Sequence, residues 1–170
     1  MNPSDFLLEV IAVFVGVIAA FELDNYRERR QETKESVRVL ELIEAELNEN
    51  IKLLKQFHEL FAKPETVVPY YHLRLIVWEG VRGKIDLIKN DKLLTDVMQV
   101  YFAIDMLERT LTVYKEHHST WIGETSTMVK AAIQQRVEAH RRAMVTQIEQ
   151  LQPRVVSAQT EIRQEINRLS

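Results

Sequence analysis

The sequence predicts an all-α protein: one amino-terminal transmembrane helix continuing into a cytoplasmic helical bundle of about four helices. Three observations lead there. Glycine and proline are scarce, 4 of each in 170 residues, and aliphatic residues with Glu, Gln and Arg fill much of the chain, the makeup of long helices. An apolar run, FLLEVIAVFVGVIAAFEL, occupies residues 6–23. Beyond it, apolar residues recur at helical spacing. The length suits about one domain, so the chain divides into a transmembrane segment, 1–26, and a bundle domain, 27–170.

The opening run has 18 positions, about 27 Å as a helix against a hydrocarbon core of roughly 30 Å. A helix apolar on all sides at the end of a small domain has too little other protein to bury it. MNPSD before the run is not a basic leader and FELDNYRERR after it is not a small-x-small cleavage site, so an uncleaved anchor is expected. No basic residue precedes Phe6, whereas Arg27, Arg29, Arg30 and Lys34 follow Leu23. The positive-inside rule then places the amino terminus outside and the bundle in the cytoplasm, a single pass through an inner or plasma membrane.

Glu9 interrupts the run. With Glu9 at zero and 100° per residue, Ala12, Gly16 and Ala20 lie within about 60° of it. Small residues at this spacing let helices approach closely in a bilayer, so this stripe is the expected contact between copies. A carboxyl on such a face must be hydrated, paired or protonated. Two alternatives remain: Glu9 reaches the outer headgroups, or several copies place it in a ring around a hydrated axis, as acidic rings do in cation channels. Asp24, within about 60° of the same face, would then form a second ring. Glu22 is expected as a solvated end residue.

No proline interrupts residues 6–62, and Gly16 is the sole glycine there; one helix is expected to run from bilayer to bundle, ended by Pro64 and Pro69. Leu40, Leu47, Leu54 and Phe61 recur every seven residues, with Ile43, Asn50 and Phe57 as the companion set. This is a coiled-coil-like seam in which Asn50 would fix register and partner number. Val39, Leu42, Ile51, Leu53 and Leu60 widen it into a face suited to a bundle. Further helices are expected over about 70–81, from an Asn90 or Asp91 cap to a break near Gly123, and from about Glu124 to Gln152, where Pro153 kinks the helix or opens a fifth.

The apolar run ending at Leu23, then Asn25, Tyr26, Arg27, Glu28 and Arg29, then LELIEAELNENIKLL over 40–54, carry a resemblance, joined by Trp78, Gly83, Leu87, Leu93, Leu94 and Tyr101. On these residues the chain resembles a broad class of uncharacterised bacterial single-pass membrane proteins with an Arg/Glu-rich juxtamembrane stretch and a small helical cytoplasmic domain. The resemblance implies architecture and membrane location. It supplies no activity, cofactor or catalytic residue.

A net charge of −3 offers no broad cationic surface for a nucleic-acid backbone. Without cysteine there is no disulfide, thiolate metal site or Cys nucleophile. His117 and His118 point about 100° apart and read as a solvated helix end, His58, His72 and His140 are isolated, and no Glu-x-x-His pair suggests a metal centre. RGK at 82–84 lacks a glycine-rich phosphate loop. Glu44, Glu46 and Glu49 read as a solvated face, and Tyr70, Tyr71 and Trp78 as core aromatics. No catalytic residue, cofactor or metal is expected. The expected role is a non-catalytic, membrane-anchored homo-oligomeric scaffold or complex subunit, with the lipid bilayer and a protein of unknown identity as partners. The alternatives are a small cation channel ringed by Glu9 and a tethered enzyme.

Overall fold

A computed structural model describes the backbone of residues 3–63 and 71–170, and the side chains of that range from residue 12 onward. Among the described residues four α-helices follow one another: α1 (Pro3–Phe61), α2 (Ile76–Val81), α3 (Asp91–Gly123) and α4 (Thr127–Leu169). A 3-10 turn, Arg82–Leu87, follows α2 directly. Pro64, Pro69 and Tyr70 lie outside the described residues, as does the side chain of Glu9.

The unbroken first helix expected over residues 6–62 is present. Its seam is the core of the molecule: Leu40, Ile43, Leu47 and Leu54 are fully buried, and Phe57 and Phe61 nearly so. Polar ties fix the helix directions. Glu44 of α1 meets Arg163 of α4, and His58 meets Glu149 at 3.2 Å; residue numbers rise on one helix as they fall on the other, so α1 and α4 are antiparallel. Lys92 to Glu161 and Gln99 to Arg154 make α3 and α4 antiparallel in the same way. Consequently α1 and α3 run in the same direction, and the segment between them returns along the bundle.

That return leg differs from the expected helix over 70–81. It is non-helical from Tyr71 to Leu75, and α2 occupies only Ile76–Val81. Bonding partners elsewhere in the chain take its backbone groups, as described below, and offer an alternative to the helical ladder.

The third helix starts where the cap was expected, Asn90 Oδ1 accepting from the Leu93 amide at 3.1 Å, and ends at Gly123. The fourth begins at Thr127 rather than Glu124. It does not restart at Pro153 but runs on to Leu169 with that proline inside. Leu151 and Val155, both buried, hold the helix on either side of an exposed Pro153, and packing there offsets a proline cost of about 3 kcal/mol.

Candidate functional site

Two polar and electrostatic features stand out, one inside the bundle and one where α1 leaves it. Inside, Glu46 is 4% exposed and Asn50 fully buried. Heptad spacing puts Asn50 in the seam, but its partner is not another copy. Its side chain donates to the Arg74 carbonyl at 2.8 Å and accepts from the Arg74 amide at 2.7 Å, as a neighbouring β-strand would.

One turn earlier, Glu46 Oε1 accepts from the Val77 amide at 2.8 Å, and Oε2 accepts from the Trp78 amide at 3.1 Å and the Tyr101 hydroxyl at 2.8 Å. From α3, Glu108 Oε2 accepts from the Leu73 amide at 3.0 Å while Oε1 meets His72. Trp78 stacks on Tyr101 at 4.5 Å between ring centroids. Burial, and then the adjoining Glu46 carboxyl, push the Tyr101 hydroxyl well above its ordinary pKa.

This set of side chains clasps the return leg to α1 and α3. Both Glu46 oxygens are occupied by protein donors, so the group acts as a tie. The expectation that Glu46 belongs to a solvated face is therefore corrected; Glu44 and Glu49 are only partly exposed and pair with Arg163 and Lys52. A leucine-flanked acid on a helix carries no local signal for this role, since its donors lie 31 to 55 residues away.

The histidines also need correction. His118 is buried between Tyr114 and Trp121, and His117 stacks on His140 at 5.2 Å. His58 and His72 have acidic partners rather than standing isolated. Of the expected core aromatics, Trp78 is half-buried but Tyr71 is 62% exposed. Among the described residues no group of three or more His, Asp or Glu could hold a metal ion.

The second feature is the arm formed by α1 before it enters the bundle. Every described residue from Ala12 to Glu32 is exposed, which includes Ala12, Gly16, Ala20, Asp24, Arg27, Arg29 and Arg30. Nothing described lies within 4 Å of a Cβ built on Gly16. The chain itself thus leaves the small-residue stripe uncovered. Bulky and small residues are segregated along the arm as far as Phe21. With Val13 at zero, Val13, Phe14, Val15, Val17, Ile18 and Phe21 fall between about 0° and 200°, whereas Ala12, Gly16, Ala19 and Ala20 fall between about −120° and −20°. Leu23, at about −80° on the same scale, lies on the small-residue side. Among the described residues no helix is long and apolar enough to cross a membrane; the side chains of the expected run are described from Ala12 onward.

Where the arm meets the bundle, a groove of about 650 Å³ opens between α1 and the end of α4. Tyr26, Arg29, Arg30, Thr33 and Lys34 supply its α1 wall. The basic residues expected near a membrane thus converge in part: Arg29 and Arg30 line this groove, while Arg27 is not among its lining residues. No protein-family model matches the chain, and neither a curated protein nor a solved structure shows significant similarity to it.

Proposed function

We propose that this protein is a non-catalytic, membrane-anchored homo-oligomeric scaffold or complex subunit. In this reading the arm of α1 spans an inner or plasma membrane once, amino terminus outside, and the bundle stands in the cytoplasm and meets an unidentified protein partner. The observation that carries it is the uncovered arm. Val13, Phe14, Val15, Ile18 and Phe21 are 58–67% exposed within the chain, and so many apolar side chains in succession need an apolar surrounding. Segregation of the small residues to one side supports the oligomer, because bulky residues suit lipid contact and small ones suit close helix packing.

Two measurements on the full-length chain test the two halves of this reading. Membranes from expressing cells are extracted at alkaline pH; retention in the pellet, lost on the double change Phe14→Arg and Ile18→Arg, is expected, and release of the unaltered chain overturns the anchor. Native mass spectrometry in mild detergent is expected to give a multiple of the chain mass. A single-chain mass overturns the homo-oligomer.

A further inference from the structure

The groove at the base of the arm has a face that continues another. Tyr26, Arg29, Arg30, Thr33, Lys34 and Val37 fall at helical spacing on one side of α1 and all line it. Deeper in the bundle α1 packs on α4, but α4 stops at Leu169, and Leu169 and Ser170 close the lower end of the groove. Past that point the α1 face changes from apolar to basic.

Arg29 also borders an adjoining groove that contains Glu32 and Glu165. Arg30 and Lys34 do not. Neither has an ion-pair partner among the described residues, and the remaining lining of their groove, Thr33, Tyr26 and Ser170, adds hydroxyls and no acidic side chain; the main-chain carboxyl of Ser170 forms no ion pair with either cation. Two unneutralised cations beside hydroxyl donors form the donor set that suits a phosphate group.

Their direction explains why an anion is needed there. Measured around α1 from Gly16, Lys34 lies at about 0° and Arg30 at about −40°, the same side as Ala12 and Ala20. If copies approach through the small-residue stripe, these cations face their counterparts on the next copy. Like charges brought together repel. Arg30 stands seven residues past Leu23, about 10 Å along the axis, and its long side chain can reach back to the headgroup layer.

We propose that this groove binds the phosphate of an anionic lipid headgroup, which neutralises Arg30 and Lys34 where copies of α1 converge. The proposal rests on the membrane-anchored oligomer described above. A fixed lipid phosphate would act as a bridging counter-ion between copies, a role beyond general attraction of basic residues to an anionic leaflet.

The test titrates the full-length chain in neutral detergent with phosphatidate, with phosphatidylcholine of the same acyl chains, and with inorganic phosphate, reading bound molecules by native mass spectrometry. Phosphatidate is expected to be retained at about tenfold lower concentration than phosphatidylcholine. The double variant Arg30→Gln, Lys34→Gln is expected to lose that preference, and Lys55→Gln, Arg136→Gln, which removes equal charge at exposed sites elsewhere, is expected to keep it. Equal retention of both lipids, or an undiminished preference in the groove variant, overturns the site. Inorganic phosphate binding as tightly as phosphatidate overturns the lipid as its source. Flotation of the same preparation with phosphatidylcholine vesicles separates the two failures: a chain that floats without selecting phosphatidate overturns the groove alone, whereas one that does not float overturns the anchor.

Discussion

One helix, α1, has two halves that meet opposite surroundings. From Ser36 to Phe61 it presents a seam of Leu, Ile and Phe to α3 and α4, and two of its buried polar residues, Glu46 and Asn50, are satisfied by the return leg and, for Glu46, by Tyr101 of α3. From Ala12 to Glu32 its residues are exposed, apolar up to Leu23 apart from Glu22 and mostly charged thereafter. The same backbone geometry serves a half stabilised within the chain and a half that no other described residue covers. Sequence periodicity shows where a helix packs; what covers it depends on elements distant in the chain.

Breaking the buried half should therefore cost stability, and breaking the arm should not. The largest effect is expected for Glu46→Ala. It strands the Val77 and Trp78 amides and the Tyr101 hydroxyl together, and loss of a buried acceptor serving several donors costs about 3 kcal/mol or more. Denaturant unfolding of the full chain in detergent, followed by helix ellipticity, measures it. Ile18→Ser, on the arm, is expected to change the same unfolding by less than about 0.5 kcal/mol.

Next in size is Asn50→Leu, which sharpens the comparison because two readings predict opposite signs. If Asn50 were a register-setting polar residue in a coiled-coil seam, leucine would stabilise the assembly. Bonded instead to both backbone groups of Arg74, it is expected to cost about 2 kcal/mol on replacement. Greater stability in the leucine variant would refute the clasp.

Much of this architecture could be read from the chain. Leu40 to Phe61 repeat with a period that solvent exposure alone enforces, and the Asn90 cap bonds within three residues of itself. Both are local. The return leg was not legible because Glu46, Asn50 and Glu108 reach its amides across 24 to 35 positions, so nothing near Tyr71–Leu75 marks it as extended. Pro153 misleads in the opposite direction: its local preference is to break the helix, and buried neighbours on both sides outweigh it. The basic residues around Arg29 were readable as a charge cluster, but the groove they line needs the end of α4, more than 130 positions away.

A smaller effect comes from the end of the bundle remote from the arm. Arg141 donates to Glu138 and to the Phe61 carbonyl that ends α1. Hydrogen bonds from Arg141, then Arg142, outweigh partial burial and hold the Glu138 carboxyl at about 2 against an ordinary 4.5. A carboxyl lowered on folding stabilises fully above its unfolded value and loses that contribution as pH falls through the folded one. With its side chain 37% exposed, solvent screening reduces the contribution to about 1 kcal/mol. Glu138→Gln should be less stable than the unaltered chain by that amount at pH 6, and the two should converge as pH falls from 4.5 towards 2. A constant gap across that range would show that the effect is packing and not charge.

The smallest effect on folding is expected at Gly16, and it isolates the arm. Nothing described stands within 4 Å of a Cβ there, so Gly16→Leu should leave bundle unfolding within about 0.5 kcal/mol of the unaltered chain. Its effect should fall on association, because a bulky residue in the middle of the Ala12, Gly16, Ala20 stripe holds neighbouring helices apart where close backbone approach supplies the attraction. Native mass in mild detergent should shift towards single chains while the helix content stays constant. An unchanged mass would move the contact between copies off this stripe, and with it the reason for Arg30 and Lys34 to face one another.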